Sequence, residues 1–250
     1  MASHPEAAEP GHCDATATAE APPACLEALK LRAPKWKLQL ACLLAVAQGW
    51  TSMECLLIYK TFASIMTGNM LLVLRDWISG DDRGYAVHLA VLASYAFGFV
   101  LYRGLTTLMG FYTSSTALGA VVALLLFAVD FVHAAGHLHS RFEVCFAATA
   151  LGIVNATALV VHGITTHMVT ITLQKLFMSI MDVAFSVGKR DAKYKAIRES
   201  GVLVGSFGTG AAIGAALYTR AGYTEWVFSS LAVTFFVLLV AHDYVCLRRS

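Results

Sequence analysis

The chain has 250 residues, 58 % of them hydrophobic and 14 % charged, with a formal net charge of +2. Soluble domains carry about a quarter charged residues, so a water-soluble globule is excluded. Long apolar runs over most of the length predict an all-α fold: a polytopic helical membrane bundle in contact with the lipid bilayer.

Residues 1 to about 30 are rich in Ala, Pro, Glu and His and have no apolar periodicity. They predict a disordered N-terminal tail ahead of a membrane domain over 31–250. Glu6, Glu9, Asp14, Glu20 and Glu27 speak against an organellar transit peptide, and no apolar run precedes Leu38 to act as a secretory signal. Lys30, Arg32, Lys35 and Lys37 then abut the first apolar segment, with Trp36 suited to the interface.

Eight apolar segments follow, at roughly 38–59, 61–78, 85–108, 112–133, 143–162, 164–187, 200–219 and 224–247. The second is short before Arg75 and Asp76, and the sixth carries Lys175 and Asp182, so between six and eight segments cross. A basic run from Lys189 to Arg198 links the sixth and seventh. Under either count the positive-inside rule places both termini in the cytoplasm, while the cellular membrane stays unspecified.

The chain reads as two sequence-related halves, about 38–134 and 142–247. One offset lays Gly49 on Gly152, Ser52 on Asn155, Leu56 on Leu159 and Thr67 on Thr170. A slightly larger one lays Phe97-Gly98 on Phe207-Gly208 and Gly104 on Gly214. Eight crossings make the halves parallel repeats, and six make them inverted ones.

Thr67-Gly68-Asn69 breaks one apolar stretch, and Thr170-Ile171-Thr172 breaks another at the matching point of the second half. Polar breaks at corresponding positions of two repeats point to a transporter's binding site, because freed carbonyls and short polar side chains can hold a solute there. The competing reading is that Thr67, Asn69 and Asn155 only bond across packed helices.

The motifs carry a resemblance as well. Gly49-Trp50-Thr51-Ser52-Met53 is followed by Met66-Thr67-Gly68-Asn69, and Ala150-Leu151-Gly152-Ile153-Val154-Asn155-Ala156 by Thr165-Thr166-His167-Met168-Val169-Thr170-Ile171-Thr172. With the glycine-rich Gly210-Ala211-Ala212-Ile213-Gly214-Ala215, their order resembles the YoaK-like membrane proteins over about 38–247. The resemblance implies a fold and a membrane location; that family has no assigned substrate. Ser52 stands where the family has Asp, and Ile171 where it has Gly. If that Asp binds a cation or proton, this chain lacks the group, and Glu54 points to a different helix face.

In the sixth segment Thr172, Lys175, Ser179, Asp182 and Ser186 share one helical face. Charges inside a membrane helix usually face a cavity, so Lys175 and Asp182 join the candidate site, with Glu54 a prospective partner for Lys175. A snorkelling Lys175 is the bland alternative. His133, His137 and His139 near Asp130 carry a chelating spacing, but Gly136 lies inside the patch and an interfacial role is favoured. His162 and His167 read as turn residues near headgroups, with proton coupling the sharper alternative.

Gly201, Gly205 and Gly208, continued by Gly210 and Gly214, mark the seventh segment as a close-packing, central helix. The same face also allows a homo-oligomer. The six cysteines, Cys13, Cys25, Cys42, Cys55, Cys145 and Cys246, have no metal-type spacing.

The expected function is a small-solute or ion transporter. Its site takes Thr67, Gly68, Asn69, Asn155, Thr170, Thr172, Lys175 and Asp182, and the substrate is unknown. No catalytic residues, cofactor, metal or nucleic-acid partner are expected. The alternative is a non-transporting membrane assembly or sensor protein whose polar residues stitch helices together.

Overall fold

The eight apolar segments correspond to eight helices. The structure is a computed structural model and describes residues 34–109, 114–136, 141–162, 169–185, 190–221 and 226–247. The N-terminal tail, His137, His139, Thr165, Thr166, His167 and Ser186 lie outside the described residues, as do the side chains of His162 and Thr170.

Among the described residues the helices are, in chain order, α1 (Pro34–Tyr59), α2 (Met66–Ser79), α3 (Asp82–Met109), α4 (Ser114–Ala134), α5 (Val144–His162), α6 (Val169–Ala184), α7 (Arg190–Ala221) and α8 (Val227–Leu247). A 3₁₀ turn, Arg141–Glu143, leads into α5. Among the described residues, α1, α3, α4, α7 and α8 each hold a stretch long and apolar enough to cross a membrane. The protein is therefore a multi-pass membrane protein whose helices contact the lipid bilayer. With 14 and 16 residues, α2 and α6 reach only about 21 and 24 Å, short of a hydrocarbon core of about 30 Å.

Local chemistry sets the boundaries. Proline begins α1, where its missing N–H costs nothing. Gly80 ends α2 in the left-handed region at φ 72°, its N–H bonded back to Asp76 and Trp77. Asp81 then caps α3 by accepting from the Gly84 N–H at 3.0 Å. The result is a tight α2–α3 hairpin. The basic run is not a linker, as the segment limits had suggested, but the first turns of α7, which begins at Arg190. Asp191 at that end favours the helix dipole.

Two crossings bring backbones into contact. A Cβ added at Gly49 would overlap the Phe207 carbonyl and lie 3.0 Å from the Ala211 nitrogen; one at Gly210 would overlap the Val46 carbonyl. These contacts join α1 to α7. In the same way Gly98 would overlap the Thr149 carbonyl and Gly152 the Tyr95 carbonyl, joining α3 to α5. Such approach is open only to glycine.

Along the apolar window of α1, 56 % of the residues are buried, against 22 % for α7. In α5 every side chain from 147 to 158 is buried. The centre of the bundle is thus α1 and α5. The seventh helix is peripheral, contrary to its glycine content, because Gly205 and Gly208 face open space.

Helices α4 and α8 run antiparallel and cap each other. The Asp130 carboxylate accepts from the N–H and hydroxyl of Ser229 at 2.6 and 2.7 Å. At the other end the Asp243 carboxylate accepts from the N–H and hydroxyl of Thr116 at 2.8 and 2.7 Å. Both acids are buried and sit at the positive end of the partner helix. Asp130→Ala and Asp243→Ala should each lower stability by about 1–3 kcal/mol, read from thermal unfolding in detergent, because each strands a helix-terminal N–H.

Candidate solute site

Asn69 is fully buried in the first turn of α2, and its amide is occupied by the chain just before it. Its Oδ1 accepts from the Phe62 N–H at 3.0 Å and the Thr61 hydroxyl at 3.1 Å, while its Nδ2 donates to the Phe62 carbonyl. It mimics a paired strand and holds the non-helical stretch 60–65. Gly68 packs on the Phe62 ring, and Thr67 is exposed. The Thr67-Gly68-Asn69 triplet is therefore not a break within a helix. The break lies at 60–65, with Thr61, Ala63 and Ser64 buried in protein.

The polar face of α6 divides. Thr172 and Ser179 are buried, Lys175 is exposed, and Asp182 pairs with Lys193 of α7. Glu54 does not meet Lys175; its carboxyl group accepts from the Trp50 indole N–H at 3.1 Å. Thr170 lies in the first turn of α6.

Other polar side chains are buried beside the two glycine crossings, on α1, α3 and α5. Asn155 donates to the Tyr95 hydroxyl at 2.8 Å, leaving its own Oδ1 without a partner among the described residues. Ser52 and Ser64 share a 2.6 Å hydrogen bond that ties the 60–65 stretch back to α1. Gln48 is fully buried, and neither its Oε1 nor its Nε2 has a partner among the described residues. Buried amides are normally satisfied, so two open ends on one side chain mark a place for something else to bind. Sequence reading passed over Gln48 and Tyr95. The available signal was a lone carboxamide inside an otherwise apolar run, next to Gly49.

A family described as protein of unknown function, DUF1275, matches residues 40–241. The chain belongs to this family. Searches of curated proteins and of solved structures gave no match. The DUF1275 match takes in Gln48, Ser52, Asn69, Tyr95 and Asn155 together.

Two further polar clusters occupy the DUF1275 bundle near helix ends. Asp76 of α2 bonds Arg75 at 2.7 Å and the buried His88 ring of α3 at 2.9 Å. Burial pushes the Asp76 carboxyl up, but the bonds and charge of Arg75 and His88 outweigh it and hold the carboxyl below its ordinary value. Elsewhere Glu143 accepts from the Tyr59 hydroxyl and from His133 Nδ1, each at 3.0 Å. His133 thus serves this buried acid. Among the described residues no group of three His, Cys, Asp or Glu side chains could hold a metal ion. Val100, Arg103, Gly104, Thr107 and Leu108 line an open groove on α3.

Proposed function

We propose that the protein is a small-solute or ion transporter whose site lies at the middle of the bundle, on Gln48 with Asn155 and Tyr95. The observation that carries this reading is the Gln48 amide, fully buried with donor and acceptor both open among the described residues. Such a group suits a small polar solute that offers a donor and an acceptor of its own. Relative to the sequence expectation, the site moves from Thr67-Gly68-Asn69 and Lys175 to the helix cores. Thr172 and Asn155 remain inward-facing. No catalytic activity belongs to this reading, and the YoaK-like motif order agrees with the family match.

The reading includes two inverted halves, α1–α4 and α5–α8. Thr116 and Ser229 hold the same place in their helices, as do Asp130 and Asp243, and the contacts between them are reciprocal. Because α4 and α8 are antiparallel, an axis relating them lies across the helices, in the membrane plane. The glycine crossings obey the same exchange: Val46 with Gly210 answers Thr149 with Gly98, and Phe207 with Gly49 answers Tyr95 with Gly152. This register sets Gly98 on Gly210, two residues from the pairing expected from sequence.

Six crossings follow if α2 and α6 only complete broken passages. Both termini then share a side with Lys35, Lys37, Lys193, Lys195, Arg198, Arg248 and Arg249, which the positive-inside rule makes cytoplasmic. The open stripe of Gly205 and Gly208 on α7 offers a surface for self-association.

The test is thermal stability of the detergent-purified protein against a panel of neutral polar solutes and inorganic ions. A ligand present at a hundred times its dissociation constant adds about 2.7 kcal/mol. Gln48→Leu should abolish that gain while leaving the unliganded protein as stable or more so, since it removes an unsatisfied buried amide. A hit that survives Gln48→Leu would move the site elsewhere.

The second reading, a non-transporting assembly or sensor protein, is favoured by Asn69, whose polar atoms are all spent on the adjoining chain. A panel without a single stabilising solute would select it.

A further inference from the structure

We infer that Glu54 is a buried proton-binding site in the last turns of α1 and carries its proton at neutral pH. Glu54 lies inside the apolar span Leu38–Tyr59 and is 1 % exposed. The one hydrogen bond its carboxyl makes among the described residues comes from the neutral Trp50 indole N–H, and no ion pair reaches it. An ionised carboxylate in a water-excluded span needs a cation or several donors to replace its hydration. One indole N–H falls well short of that. A proton on the carboxyl removes the charge.

Among the described residues, the neighbouring groups leave the proton as the neutralising species. On its own helix stand Trp50, the buried Cys55 thiol and, further on, Tyr59, whose hydroxyl is donated to Glu143. Helix α7 packs against Trp50 and Met53 at Gly214. Its titratable residues beyond that point, Tyr218 and Arg220, make no described bond to Glu54. The prospective partner on α6, Lys175, is exposed, Asp182 is engaged by Lys193, and Lys60 at the end of α1 turns back onto the Leu57 carbonyl. A metal ion is a poor fit. Hard cations take several oxygen ligands; here α1 is an unbroken helix with its carbonyls engaged, and the group beside the carboxyl is a donor.

The chemistry is a reversible protonation: the O–H bond forms on a Glu54 carboxyl oxygen with a proton from water, and the proton returns to water on release. The site stands without the transporter reading. What rests on that reading is its use, which is to move a proton together with the solute.

Infrared spectra of the full chain reconstituted in phosphatidylcholine vesicles test this without any solute, so this inference and the transporter reading can fail separately. At about pH 7, where a free glutamate is ionised, the wild-type minus Glu54→Gln difference should contain a protonated-carboxyl C=O band. Trp50→Phe should shift that band to higher frequency by removing its donor. Ionised-carboxylate bands in the same difference would overturn the inference. Should Glu54→Gln fold poorly, Glu54→Leu provides the same difference. A second readout has a fixed sign. If the native state holds a proton that the unfolded chain releases, wild type loses stability as pH rises from about 7 to about 9, and Glu54→Gln does not. Identical pH profiles for the two proteins would also overturn it.

Discussion

Gly49→Ala and Gly210→Leu should each prevent assembly of a stable bundle, with a loss of about 3–5 kcal/mol. The reason is the identity of the neighbours. A new Cβ at either position meets backbone, the Phe207 or the Val46 carbonyl, and not the movable end of a side chain. Relief requires α1 and α7 to separate along the whole crossing, which forfeits the packing that replaces the hydrophobic effect in a membrane. Gly205 and Gly208 lie on the same helix with nothing near them. Gly205→Ala and Gly208→Ala should therefore be neutral or stabilising, by up to about 1 kcal/mol. Monodisperse recovery after detergent extraction and the unfolding midpoint distinguish the two pairs. Equal losses at all four positions would mean that α7 is wrongly placed.

Asn69→Ala is expected to be the most damaging change to a polar side chain. It strands the Phe62 N–H and carbonyl together with the Thr61 hydroxyl, all in a buried, non-helical stretch. Each buried unsatisfied group costs about 1–3 kcal/mol, and more than one is left, so a loss of about 3–5 kcal/mol is expected. Asn69→Asp keeps the acceptor but loses the donor to the Phe62 carbonyl, and should be hardly better. A variant that folds normally but fails to bind a solute would restore Asn69 to the binding site and remove it from the framework.

These two cases also show where sequence reading succeeds and where it stops. Apolar run length locates all eight helices, because a bilayer demands length and hydrophobicity before anything else. It also singles out Gly49, Gly152 and Asn69 as special positions. It does not say what they touch. Asn69 reads as a site residue until its partner is seen to be the backbone of Phe62, a contact with no sequence signature. The glycines of α7 read as a central helix because spacing records small residues, not which of them faces a neighbour. Gln48 was overlooked for the converse reason: one carboxamide in an apolar run looks incidental until its burial without partners is visible. The start of α7 at Arg190 was missed because charged turns outside the bilayer break the apolar pattern while the helix continues.

The mutual capping of α4 and α8 has a bearing on how the chain is made. Asp130 and the Ser229 that satisfies it are 99 residues apart. During synthesis α4 leaves the ribosome well before α8 exists, so an acid destined for burial enters the membrane ahead of its partner. Crossings of α1 with α7 and of α3 with α5 impose the same wait. Biogenesis therefore cannot proceed by finishing the first four helices and then adding the rest. The early helices therefore sit in the membrane with these contacts unmade until the last one arrives to close the bundle.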